Sequence, residues 1–123
     1  MNYIEYFKDK KEFKTEEQCH IVELSNSPAD EDCSIARARV TPGVTTSLHS
    51  LKGIVERYVI LSGVGEVKIN GQAGQMVAAY DIVNIPQSVS QQITNKGTED
   101  LIFLCICTPR FKQELYESIT ESV

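Results

Sequence analysis

The sequence predicts an all-β domain, a barrel or sandwich of short antiparallel strands. Eight or more short apolar or alternating segments follow one another from about residue 19 to 107, separated by turn residues at close intervals. Several of them alternate with period two, the mark of a strand with one buried face. The longest unbroken apolar run, Leu101 to Cys107, is far too short to cross a bilayer.

The strands are expected in this order. Cys19 to Leu24 is strand-like and is broken by Ser25-Asn26-Ser27-Pro28 and the acidic run Asp30-Glu31-Asp32. In Ser34 to Thr41, Ala36, Ala38 and Val40 face one way and Arg37 and Arg39 the other. Pro42-Gly43 turns the chain into strands around Thr46 to Leu51 and Glu56 to Ser62, with Lys52-Gly53 between them. Glu66 to Ile69 alternates and ends at Asn70-Gly71, a strong hairpin signal. Met76 to Ala79, Ile82 to Ile85, Gln91 to Thr94 and Leu101 to Cys107 complete the series. The tail changes period: Thr108-Pro109 reads as a helix start, and Phe111, Leu115 and Ile119 recur every four residues. A short C-terminal helix over about 109–120 is therefore expected, packed outside a core barrel of about 19–107.

Composition bounds the function. A chain of 123 residues fits one domain, here 1–123, with a core that needs no staples. The net charge of −5 argues against nucleic acid, because the one basic cluster, Lys8 to Lys14, is interrupted by Asp9 and Glu12. The four cysteines, at 19, 33, 105 and 107, form no Cys-x-x-Cys pair. The amino terminus has no basic region followed by an apolar stretch, so a cytoplasmic protein with no membrane association is expected.

Two segments carry a family resemblance. Gly43 is followed by five residues, His49, one residue, Leu51, four residues, Glu56, six residues and Gly63. This resembles the first motif of the cupins, with leucine in place of the second histidine. Tyr80 is followed by five residues, Pro86, one residue, Ser88, two residues, Gln91, three residues and Asn95. This resembles the second cupin motif, with its proline, asparagine and spacing kept and both glycines and the histidine replaced. The chain is thus identified as similar to small single-domain cupins, whose fold is a double-stranded β-helix or jelly-roll barrel.

The resemblance implies that positions 49, 51, 56 and 91 point into the barrel, where cupins hold a metal with three histidines and a glutamate. Here the set is His49, Leu51, Glu56 and Gln91. Leucine ligates nothing and makes that wall apolar, and Gln91 offers only a neutral carbonyl oxygen. The implied remnant, His49, Glu56 and Gln91, is a weakened facial triad for Zn, Ni, Mn or Fe. An inward carboxylate at Glu56 needs a metal, His49 or a ligand as partner, or else must be protonated. Tyr58 lies two residues along the same face. It is either an aromatic filling the barrel or a phenol acting with His49 as an acid–base pair, as in metal-free cupin epimerases. The register usual in small cupins turns Phe103, Cys105 and Cys107 inward, so Leu51, Phe103, Cys105 and Tyr58 are candidate substrate contacts.

Three functions are open at this level. The first is a metal-assisted oxygenase or isomerase acting on a small polar metabolite. The second is a metal-free epimerase or isomerase using His49 and Tyr58, and the third is a binding or sensing module without catalysis. A homodimer is also expected, because Ile102, Leu104 and Ile106 with Val59 and Leu61 would otherwise leave a large apolar patch exposed. The C-terminal helix is the competing cover.

Overall fold

A computed structural model describes residues 3–120. Among these residues eleven strands are present: β1 Phe13–Lys14, β2 His20–Ser25, β3 Ser34–Val40, β4 His49–Leu51, β5 Val55–Ser62, β6 Gly65–Ile69, β7 Gln75–Val77, β8 Ile82–Ile85, β9 Gln91–Asn95, β10 Leu101–Thr108 and β11 Tyr116–Ser118. They form a six-stranded sheet, ordered β1-β2-β3-β10-β5-β8, and a five-stranded sheet, ordered β11-β4-β9-β6-β7. Every recorded strand pairing is antiparallel.

Alternation decides which residues meet inside. On β3, Ala38 and Val40 are buried, while Arg39 turns outward and binds Glu12 (2.6 Å) and Asp100 (3.2 Å). The matching inward rows are Glu56, Tyr58 and Ile60 on β5 and Leu101, Phe103, Cys105 and Cys107 on β10. The register pairs Phe103 with Ile60, Cys105 with Tyr58 and Cys107 with Glu56. The larger of two buried clusters contains Val40, Tyr58, Ile60, Val67, Ile85, Ile93, Leu101 and Phe103, and the smaller contains Leu51, Ile54 and Cys107. Full burial of each such aliphatic side chain stabilises the fold by roughly 1.5–3 kcal/mol.

The motif residues hold the turns. Gly63 has φ +90°, and a β-carbon there would come within 2.8 Å of the Asp100 carbonyl oxygen. Asn95 is buried. Its Nδ2 donates to the Val40 and Glu99 carbonyls, both at 2.8 Å, and its Oδ1 accepts from the Gly97 amide, which ties the β9–β10 turn to β3. Tyr80 and Ser88, which replace the motif glycines, keep positive φ values of 71° and 63°. The backbone has thus retained a conformation for which glycine is ordinarily preferred.

The expected C-terminal helix is not formed. After β10 the chain makes a single 3-10 turn, Gln113–Leu115, and then adds β11 to the edge of β4. A helix of about twelve residues is marginal by itself. The β4 edge offers paired hydrogen bonds instead, and the Lys52 amide donates to Leu115 O (2.8 Å) and the Ile119 amide to Leu48 O (3.0 Å). Phe111 and Leu115, read as a helix face, instead pack on Leu51, Ile54 and Cys107. Their four-residue spacing therefore reflects two contacts of an extended strap with one apolar cluster. Among the described residues no helix is long and apolar enough to cross a membrane.

Candidate functional site

A cavity of about 640 Å³ opens at one end of the barrel. It exists because the inward residues there are small: Ser34 and Ala36 on β3 and Cys105 and Cys107 on β10 all line it. The volume is that of a small-molecule site. Two straps cross its mouth, residues 13–17 from the amino-terminal side and residues 111–118 from the carboxy-terminal side.

His49 lies in the wall, 6% exposed. Its Nδ1 is 2.8 Å from the Ser47 carbonyl oxygen, which can only accept, so in the neutral ring Nδ1 carries the proton and Nε2 is the basic nitrogen. Glu17 Oε2 lies 3.5 Å from the same Nδ1. The Ser47 amide donates to the Glu17 carbonyl (3.0 Å), so this backbone bond between the turn at Glu17 and the segment before β4 holds both groups together. The opposite support is the Tyr116 ring, stacked on the imidazole at 4.8 Å with planes 17° apart. Burial raises the Glu17 carboxyl above its ordinary range, and the His49 charge and Tyr116 hydroxyl oppose that rise. Burial, followed by the Glu17 charge, pushes the Tyr116 phenol up to about 12.

Glu56 faces inward, 7% exposed, beside Cys107 and Ile85 on the flanking strands. The Cys107 thiol donates to Oε2 at 3.5 Å, and Oε1 has no partner. Burial pushes this carboxyl up, against the opposing effects of His49, Gln91 and Cys107. A carboxyl raised in this way is suited to give a proton.

Gln91 lies directly across from His49 and is 1% exposed. The Tyr58 hydroxyl donates to its Oε1, while its Nε2 is unpartnered. The three residues expected to hold a metal therefore do not fit that role. One lone pair of the neutral Gln91 oxygen is taken by the Tyr58 hydroxyl, the amide group left over is a donor, and Leu51 supplies only an apolar wall. Among the described residues no three His, Cys, Asp or Glu side chains converge as a metal shell.

The remaining candidates divide by position. Leu51 and Cys105 line the cavity. Burial, the largest effect, and the Glu56 charge hold the Cys105 thiol well above its usual range, which keeps it protonated and unreactive. Tyr58 and Phe103 do not line the cavity, contrary to expectation. Both are buried in the core with their rings 4.6 Å apart, and the Tyr58 phenol is pushed far up by burial. Sequence reasoning missed Glu17, Glu23 and Tyr116. Glu17 lies in a weakly patterned segment and Tyr116 in the strap read as a helix, so neither carried a signal.

No protein-family model and no curated protein sequence matches the chain. Solved structures do. Pac13 of Streptomyces, a nucleoside dehydratase studied in complexes with uridine, superposes with a TM-score of 0.82 at 13% identity, over 97% of this chain and 92% of its own. A predicted oxalate decarboxylase of Thermotoga maritima matches with a TM-score of 0.72 at 25% identity, over 81% and 91%. KdgF of a Halomonas species matches with 0.79 at 13% identity, over 94% and 100%.

Proposed function

We propose, from the premise that this chain is a small cupin-fold domain, that it is an enzyme of acid–base chemistry on a small polar metabolite, an isomerase, epimerase or dehydratase. The observation that carries this reading is the support of His49. Ser47 O and Glu17 flank Nδ1, so that Nε2 is left as the base in a cavity that also contains the buried acid Glu56. His49 takes a proton from substrate carbon at Nε2, and Glu17 stabilises the imidazolium that forms. Glu56 gives a proton either to the far side of that carbon or to a departing hydroxyl. A resident metal is not part of this reading, because the donor set does not suit one. The likeness to a nucleoside dehydratase is consistent with such chemistry on the same fold.

The test is solvent-deuterium incorporation into a metabolite pool, with protein purified without chelator and then treated with one. Chelator-resistant labelling is expected, reduced about 10²–10⁴-fold by His49→Gln. Labelling that disappears with chelator and returns with Zn, Ni, Mn or Fe would establish the metal-assisted alternative. A tight ligand returned unlabelled and unchanged would make the domain a binding module.

A homodimer through the outer face of the six-stranded sheet is proposed with it. Leu104 lies between Val59 and Arg37, and Val59 lies beside Ile82, which is 52% exposed; Leu61 is exposed as well. The carboxy-terminal strap, the competing cover, runs to β4 in the other sheet. Sedimentation equilibrium should give a dimer that Leu104→Glu dissociates with the fold retained; a 13.7 kDa species at every concentration would exclude it.

A further inference from the structure

The unpaired groups of the cavity share one sign. Its wall carries Glu16, Glu17, Glu23 and Glu56 against Lys14, which is exposed, and His49, whose Nδ1 lies 3.5 Å from Glu17. Glu17 Oε2, Glu23 Oε2 and Glu56 Oε1 are each buried without a hydrogen-bond partner. Glu56 is the sharpest case, with more than nine-tenths of its surface buried and only a thiol at 3.5 Å on its other oxygen. Every lysine or arginine ion pair among the described residues engages a different carboxylate: Lys10 takes Glu5, Arg37 and Arg39 take Glu12, Arg39 also takes Asp100, and Arg110 and Lys112 take Glu31.

Buried carboxyl oxygens without hydrogen-bond donors are costly, and those that ionise in one cavity repel one another. A ligand that relieves them has to bring N–H donors and positive charge. A phosphate or carboxylate ligand would add repulsion, and a neutral polyol would satisfy the lone pairs but leave the charge. A metal ion is too compact, since among the described residues no three such side chains converge on one point. The lining also has apolar residues, Leu51, Phe111, Ile21 and Phe13. That suits a methylene chain between charged ends.

We propose that the cavity takes a small organic cation, an amine or guanidinium with several N–H donors, held by the Glu23 carboxylate and by the unpartnered Oε1 of Glu56, which still accepts while that carboxyl carries the proton it gives in the reaction, with the carbon chain of the cation against the apolar part of the lining. This rests on the reading of the cavity as a small-molecule site and names the substrate class of that site.

Titration calorimetry at neutral pH with four probes tests it: 1,4-diaminobutane, 4-guanidinobutylamine, 1,4-butanediol and succinate. The two cations should bind, and the diol and the dianion should bind far more weakly. Glu56→Gln should weaken cation binding on the order of 10- to 100-fold. Glu23→Gln is the second variant, should Glu56→Gln fail to fold by circular dichroism, and should also weaken it. The proposal is overturned if neither cation binds at millimolar concentration, if succinate or butanediol binds as tightly as the diamine, or if both variants bind the diamine like wild type. A cation that binds without solvent exchange defeats the acid–base reading alone. Exchange on a neutral or anionic metabolite defeats the cation alone.

Discussion

The two ends of the barrel are built from the same two strands and differ in almost every physical respect. Three cross-strand pairs run from the closed end to the open one: Phe103 with Ile60, Cys105 with Tyr58, and Cys107 with Glu56. At the closed end the side chains are large and apolar, and with Leu101, Val40 and Ile93 they leave almost no exposed surface. At the open end they are small or ionisable, and the missing volume is the cavity. Stability resides at one end and chemistry at the other, with Tyr58 as the joint: its ring packs on Phe103 and its hydroxyl serves Gln91.

The sharpest way to break this contrast is at the closed end. Phe103→Ala removes a ring that is 2% exposed from the centre of the core. It should cost about 3–5 kcal/mol of unfolding free energy. Leu51→Ala, at the open end, should cost less than typical core truncations, because its side chain already borders empty space. Urea denaturation of the pair checks this; equal losses would mean that the two ends are packed alike.

The closed end was legible in the sequence and the open end only in part. Inward and outward positions follow from alternation, and the observed strands fall within a few residues of those expected, because one-residue slips would expose the whole apolar face. The inward placement of His49, Glu56 and Gln91 was legible only through the two motifs, which fix backbone geometry as much as chemistry. Asn95 and Gly63 are turn residues, and Tyr80 and Ser88 hold glycine-like backbone without glycine. What could not be read was which groups the straps bring over the mouth. Glu17 and Tyr116 reach His49 through a single turn and an edge strand, and no periodicity marks either. The helix expected at 109–120 failed for the same reason: four-residue spacing does not distinguish a helix face from an extended strap that touches one apolar cluster twice.

Tyr58→Phe tests the joint, with a smaller effect. The substitution keeps the ring and deletes the donor to Gln91 Oε1, leaving a buried amide with neither end satisfied. A loss of about 1–3 kcal/mol is expected, read by thermal melting. Tyr116→Phe, at the half-exposed mouth, should change stability less. If Tyr58→Phe melts like wild type, the Tyr58–Gln91 bond is not what holds the joint.

The smallest effect is a slope with pH, and its sign separates the cavity from the outer surface. Glu17, Glu23 and Glu56 are held above the ordinary glutamate value of 4.5, first by burial. A carboxyl raised on folding contributes stability that is complete below its unfolded value and is lost as pH rises through its folded value. Outside the cavity the shifts run the other way: Glu5 is lowered by Ser25 and Lys10, Glu12 by Arg39, and Glu31 by Arg110. Their contribution is present above the unfolded value and is lost as pH falls through the folded one. The ligand-free protein should therefore be most stable near the ordinary glutamate value and weaken on both sides. On the alkaline side each ionising cavity carboxyl costs at most about 1.4 kcal/mol per pH unit. Glu56→Gln removes one of the three groups and should flatten that limb while leaving the acid limb unchanged. Melting curves from about pH 4 to 8 decide it; an unchanged alkaline slope in the variant would show that Glu56 ionises no differently in the folded chain than in the unfolded one, and the polar end of the barrel would then lack the charge tension that distinguishes it from the apolar end.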